Sequence, residues 1–266
     1  MSLRIQNNVE AFNAHRMLQN TSNDVSKAME RLSSGYRINR ASDDAAGLGI
    51  SEKMRGQIRG LGQAQRNIQD GVSLVQTAEG NLDEVHSMLQ RVRELAVQYK
   101  GGTLSAAGKA AIQTEVNQLA SEIERIGTTA DFNGLKLLNA AGSVTFQVGA
   151  NDNESISAAV ISLGATVGTA AYSLSSTTTL ADIDAAINAV SSARSTFGAV
   201  QNRLEHTLGV SAAYQENLVA AESRIRDVDM AEEMTRLTKS QILQQAGTAM
   251  LAQANQGPQA VLSLIR

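Results

Sequence analysis

Apolar side chains recur every seven residues at Met54, Leu61, Ile68, Val75, Leu82, Leu89 and Ala96. The same spacing returns at Ile183, Val190, Phe197, Leu204, Leu218 and Ile225, with Ser211 as the one polar interruption. Residues seven apart lie on nearly one face of an α-helix, so each series predicts a very long helix whose apolar seam needs another helix to cover it. A helix over residues 52–99 alone would reach roughly 70 Å, longer than a compact domain of this chain length is wide. That geometry favours lateral assembly over a catalytic cleft.

Shorter patterns complete the chain. Ile5, Val9 and Phe12 recur at helical spacing, and Leu18, Val25, Met29 and Leu32 continue it in a shifted phase. This predicts a first amphipathic helix that ends at Ser33-Ser34-Gly35. The polar, glycine-bearing stretch through Arg37, Arg40, Asp43, Asp44, Gly47 and Gly49 reads as a connector, and its arginines and aspartates are candidates to pair across it. Gly101-Gly102 stops the long helix, after which Ile112, Val116, Leu119, Ile123 and Ile126 form a narrow stripe suited to antiparallel packing. Asp131-Phe132-Asn133-Gly134 is turn chemistry. Beyond it the period becomes two, with Val144, Phe146 and Val148 predicting a β-hairpin over residues 142–161. Residues 162–179 are rich in Ser, Thr, Ala and Gly and are expected to form an exposed tip with little to anchor a core. After Leu180 helical spacing resumes, and a last segment uses Met230, Met234, Leu237, Ile242, Ala246 and Met250, with Gly257-Pro258 expected to break or kink it. The fold class is therefore mainly α: long antiparallel helices forming a rod-like bundle with a small β-hairpin, plus a terminal two-helix coiled coil.

Composition narrows the functions. Hydrophobic residues make up 42% of the 266 positions, enough for a sizeable core, while aromatics are 3% and the single proline is Pro258. Almost nothing forbids continuous helix before that point. A net charge of -3 gives no electrostatic reason for nucleic-acid or anionic-membrane binding, and no stretch approaches a membrane span or a cleaved Sec signal. Zero Cys excludes disulfides and thiolate metal sites. Gly56, Gly60 and Gly62 lack the Lys-Ser or Lys-Thr of a phosphate loop, and His15, His86 and His206 belong to no zinc signature, so no catalytic residue, cofactor or metal is expected.

Several stretches are more specific than periodicity. Glu30 to Asn39 (ERLSSGYRIN), Asp43 to Gly47 (DDAAG), Gln90 to Gln98 (QRVRELAVQ), Leu138-Asn139, Gly198 to Arg203 (GAVQNR), Gln253 to Gln256 (QANQ) and Val261 to Arg266 (VLSLIR) together resemble bacterial flagellin over nearly the whole chain. The middle departs from many flagellins in having only the hairpin and short tip, so the chain resembles a minimal form with the two inner domains. The resemblance implies an inner coiled-coil domain from residues 1–46 and 226–266, and a rod-like domain over 47–225. It implies a filament subunit of the extracellular bacterial flagellum, exported unfolded through the flagellar type III apparatus for swimming motility. Subunit packing would use Ile5, Val9, Phe12, Leu18, Val25, Leu32, Met234, Leu237, Ile242, Leu243, Met250, Leu262 and Leu264, of which Ile5, Val9, Phe12, Leu237, Ile242 and Leu243 would face water in an isolated subunit.

The implied partners are further copies of the chain, an export chaperone at the C-terminal helix, filament cap and hook-filament junction proteins, and a host Toll-like receptor. Gln90, Arg91, Glu94, Leu95, Gln98 and Glu115 would make a protofilament and receptor contact patch, with Val92, Ala96 and Tyr99 covered and Leu95 turned outward among polar groups. The alternatives are a hook-filament junction protein with flagellin-like ends, an enzyme on a helical scaffold, and a membrane-surface helix protein.

Overall fold

The computed structural model describes residues 7–139, 142–167 and 180–264, with backbone alone for 165, 166 and 257–264. Two compact units divide the chain: Met1–Gly56 with Asn217–Arg266, and Gln57–Glu216. The elements in chain order are α1 (Val9–Ser34), α2 (Ala45–Lys100), α3 (Ala106–Thr129), β1 (Asp131–Phe132), β2 (Leu135–Lys136), β3 (Gly142–Gln147), β4 (Ser155–Val160), α4 (Leu163–Val167), α5 (Leu180–Arg226) and α6 (Met230–Leu264). This is the mainly helical fold with a small hairpin that the spacing predicts.

In the unit Gln57–Glu216 both seven-residue series turn inward. Leu61, Ile68, Val75, Leu82, Leu89 and Ala96 of α2 are buried, as are Ile183, Val190, Phe197 and Leu204 of α5. Most of them share one core with Ile123 of α3 and with Phe146 and Ile156 of the hairpin. Ser211, the break in the series, is buried as well, and its Oγ has no hydrogen-bond partner among the described residues. The α3 stripe behaves as expected: Ile112, Val116 and Ile123 are buried, and Ser105 caps the helix by accepting a hydrogen bond from the Gly108 N–H.

The 131–134 turn carries more structure than its sequence suggests. Asn133 (φ 50°) and Gly134 (φ 81°) supply the two positive-φ residues of a tight hairpin turn, and Asp131–Phe132 pairs antiparallel with Leu135–Lys136. In the larger hairpin Phe146 faces Ile156 across the ladder, and Ile156, Ala158 and Val160 alternate inward. Gly71 of α2 lies beneath Phe146, where an added Cβ would sit 3.1 Å from the ring, whereas one at Gly80 would meet nothing within 4 Å. Gly71→Val should therefore destabilise this unit by about 1–3 kcal/mol through overpacking. Gly80→Ala should stabilise it by about 0.5–1 kcal/mol through helix propensity. Denaturant unfolding of the two variants checks both signs.

Three expectations need correction. The tip does not begin at residue 162: Leu163 and Val167 are buried in the core on the short α4, because two apolar residues four apart can anchor a helical turn within a Ser/Thr-rich stretch. The rest of the tip, 168–179, lies outside the described residues. Gly47 and Gly49 belong to α2 and not to the connector, since Asp44 accepts the Gly47 N–H at 2.8 Å and starts the helix there. A side chain at Gly47 would collide with the Asp44 carboxylate and approach Ile38 Cδ1 to 2.9 Å. Finally, the helix break expected at Gly257-Pro258 does not occur, since α6 continues to Leu264. A residue preceding proline is pushed from the helical region by contact of its N–H and Cβ with the ring, and glycine lacks the Cβ.

Candidate functional site

In the unit formed by the two chain ends, α1 and α6 pack along their length. Along the covered stripe of α1 lie Ala11, Ala14, Leu18, Thr21, Val25, Ala28 and Leu32, in alternating steps of three and four. On α6 they are Glu233, Leu237, Ser240, Gln244, Gly247, Leu251 and Ala254, again in steps of four and three. This seam sets Leu18, Val25, Leu32, Leu237 and Leu251 among small and polar residues. Gly247 shows how close the helices come, since an added Cβ would stand 3.3 Å from Leu18 Cδ1.

Many large apolar residues of the two helices lie outside the seam. Phe12 is 71% exposed, Met250 65%, Ile242 60% and Val9 55%, and Met17, Met29, Met230, Met234 and Leu243 are exposed with them. Leu18, Val25 and Leu32 are half-buried in the seam. The shifted phase along α1 thus separates two faces, one covered and one bare. Leu237 is the correction here: it is buried against α1's side of the seam and does not face water. Its companions Met230, Met234, Ile242, Ala246 and Met250 share its helical period but lie outside the seam. Ile5, Leu262 and Leu264 lie outside the described side chains.

At the base of this pair the two connectors bind each other. Gly35 ends α1 at φ 75°, returning its N–H to Arg31 O at 2.9 Å. The next residues cross the chain between α5 and α6: Arg37 N–H donates to Arg226 O at 2.6 Å and Val228 N–H to Gly35 O at 3.0 Å, around a Tyr36–Asp227 bridge. The Arg226 guanidinium lies 4.8 Å from the Tyr36 ring centroid and donates to Glu52 at 2.6 Å.

The expected arginine–aspartate pairs do not form. Asp43 accepts from the backbone N–H groups of Asn39 (3.2 Å) and Arg40 (3.0 Å), and Asp44 caps α2. Arg40 pairs with Glu30, and Arg37 donates to Ile225 O. A short carboxylate beside free backbone N–H groups is used for capping before it is used for charge. The hydrogen bond from Arg40 N–H holds the Asp43 carboxyl below its ordinary value.

Hydrogen bonding from Arg226 likewise holds the Glu52 carboxyl below its usual 4.5. A lowered carboxylate contributes its full stabilisation above the ordinary value and loses it as pH falls through the folded one. As pH falls through the carboxylate range, the protection of the Arg37 and Val228 amides, taken relative to their intrinsic exchange at the same pH, should therefore fall. In Glu52→Gln that acid-dependent loss of protection should shrink, as measured by exchange at about pH 7 and about pH 3.

The α2 patch is assembled from α2 and α3. Arg91 donates through Nε (3.1 Å) and Nη2 (3.0 Å) to one Glu115 oxygen and through Nη1 (3.0 Å) to Glu94, and these bonds raise its pKa, that to Glu94 first. Gln90 and Gln98 are exposed beside them. Leu95 is not part of this surface. It is 2% exposed and packs with Val92, Ala96, Ile112, Val116 and Ile183. Two helices, α3 and α5, cover α2 here, so its buried stripe is wider than one neighbour would require. Among the described residues no cluster of His, Asp or Glu is suited to a metal, and no helix is long and apolar enough to cross a membrane.

Sequence comparison decides the family. The family model for the bacterial flagellin N-terminal helical region matches residues 5–143, and that for the C-terminal helical region matches 180–265. The chain belongs to the bacterial flagellin family. A flagellin from Halalkalibacterium halodurans is 54% identical over 270 residues, covering 98% of this chain and 99% of its own. One from Bacillus subtilis is 48% identical, covering 99% and 100%. A 33 kDa flagellar filament core protein from Treponema phagedenis is 48% identical, covering 98% and 99%. Among solved structures, the crystal structure of Bacillus cereus flagellin aligns with a TM-score of 0.50 at 29% identity, over 55% of this chain and 88% of its own. Flagellins are structural proteins, and the flagellar filament is an extracellular appendage.

Sequence reasoning passed over four residues of this flagellin's terminal unit: Asn8, Arg226, Glu233 and Arg236. Asn8 stands one residue before α1, where a capping side chain is expected, and accepts the Ala11 N–H at 3.0 Å. Glu233 is buried on the seam between Arg31 (3.8 Å) and Arg236 (3.6 Å). Its acidic place in the first turn of α6 is the one local signal for it.

Proposed function

We propose that this flagellin polymerises through the bare face of α1 and α6 into the hollow helical filament that drives swimming. The observation that carries the reading is the α1–α6 pair, whose seam leaves Phe12, Ile242, Leu243 and Met250 outside it. A monomeric protein would bury those residues, and large apolar side chains exposed together on two paired helices mark surfaces that meet another. Neighbouring copies supply that cover, with residues 1–46 and 226–266 as the inner coiled coil and residues 47–225 as the rod that packs along protofilaments.

Export as an unfolded chain through the flagellar type III apparatus suits ends that complete their core on assembly, and an export chaperone would cover the C-terminal helix until then. Cap and hook-filament junction proteins would bound the polymer. Gln90, Arg91, Glu94, Gln98 and Glu115 present the polar surface for protofilament contacts and for a host Toll-like receptor. Electron microscopy of purified protein, seeded with filament fragments, tests the assembly reading. Long hollow filaments are the expected product; a chain that stays monomeric or adds only a short ring is the junction protein instead.

A further inference from the structure

Pro258 sits inside α6, which runs unbroken from Met230 to Leu264. A proline within a helix has no N–H to give the carbonyl four residues earlier. In α6 that carbonyl belongs to Ala254, which is half-buried on the seam. An unbonded backbone carbonyl withdrawn from water is costly, and native structures supply a partner for it. Here the partner comes from the other end of the chain: Asn8 Nδ2 donates to Ala254 O at 2.7 Å. Asn8 Oδ1 meanwhile accepts the Ala11 N–H at 3.0 Å and caps α1.

We infer that Asn8 is the positioning residue of the terminal pair, replacing from α1 the hydrogen bond that Pro258 withholds from α6. One amide group thereby serves the start of α1 and the end of α6 together. It also sets the register. A slip of seven would exchange Ala14, Thr21 and Ala28 for one another on α1, likewise Leu18, Val25 and Leu32, and Ser240, Gly247 and Ala254 on α6, so packing of the seam specifies alignment weakly. Only one alignment brings the Asn8 amide to the carbonyl orphaned by the chain's single proline. A polar group that fixes the register of a helix pair is a recognised use of buried polarity.

The test compares full-length wild type, Asn8→Ser, Pro258→Ala and the double variant. Serine retains an oxygen able to cap α1 but lacks the amide N–H. The Pro258→Ala change restores the N–H that α6 is missing. Amide exchange is followed over residues 250–256, on filaments where they form and on the monomer where they do not. With Pro258 present, Asn8→Ser should accelerate exchange about tenfold; in the Pro258→Ala background the same change should have less than about a twofold effect. Equal effects in both backgrounds, or no effect beside Pro258, would overturn the inference. A wild-type chain that never forms polymer counts against the assembly reading alone, because the comparison is still made on the monomer.

Discussion

Purified chain carrying both Phe12→Asp and Ile242→Asp should no longer polymerise, while its core unit unfolds as wild type does. Phe12 is 71% and Ile242 60% exposed, one on each terminal helix, so neither substitution removes a contact from the subunit's own seam. Burying each side chain between copies is worth about 1.5–3 kcal/mol, and a carboxylate placed there adds a desolvation penalty. At about 1.4 kcal/mol per tenfold, the pair should raise the critical concentration by roughly two to four powers of ten. Sedimentation of polymer across a concentration series reads the change directly. Filaments that form at the wild-type threshold would show that this face is not the assembly surface.

The second large effect belongs to the core of the unit Gln57–Glu216. Leu82 is fully buried on α2 and shares its core with residues of α5, the hairpin and α4. Leu82→Ala should cost about 2–5 kcal/mol, the transfer of its methyl groups plus the cavity they leave. For a unit of this size that corresponds to a fall in melting temperature of roughly 4–20 °C. Val210→Ala on α5, where the side chain is 69% exposed, should change the monomer's stability by less than about 0.5 kcal/mol. Calorimetry on the two monomers separates them, and equal shifts would mean that the seven-residue seam does not carry the unit's stability.

The long helices were legible because seven-residue spacing admits one interpretation when it persists through six or seven positions. Leu61 to Ala96 and Ile183 to Leu204 are the buried seams that the pattern predicts. Periodicity does not say how many neighbours a helix has, and this misled at Leu95: α3 and α5 together cover Val92, Leu95 and Ala96. Nor does it tell a covered stripe from a bare one. Leu237 and Met234 share the same helical segment, yet one is buried and the other exposed. That distinction rests on which face α1 occupies, a tertiary fact with no local trace.

Charge was the weaker guide in the connector. Counting signs suggests that Arg37, Arg40, Asp43 and Asp44 meet, whereas the aspartates sit where backbone N–H groups are free and bond those instead. The proline was misleading for the opposite reason. Its local rule is sound, but the compensating group, Asn8, lies 246 residues away in sequence from the carbonyl it serves.

The paired connectors have a mechanical consequence. Between α1 and α2, and again between α5 and α6, the polypeptide leaves the helical path for a few residues. Each such link alone would be a soft joint. Because Arg37 bonds Arg226 and Val228 bonds Gly35, tension on one link is shared by the other through bonds that lie across the two strands. Twisting these links must strain two backbones at once, so the connectors resist torque as a double strand.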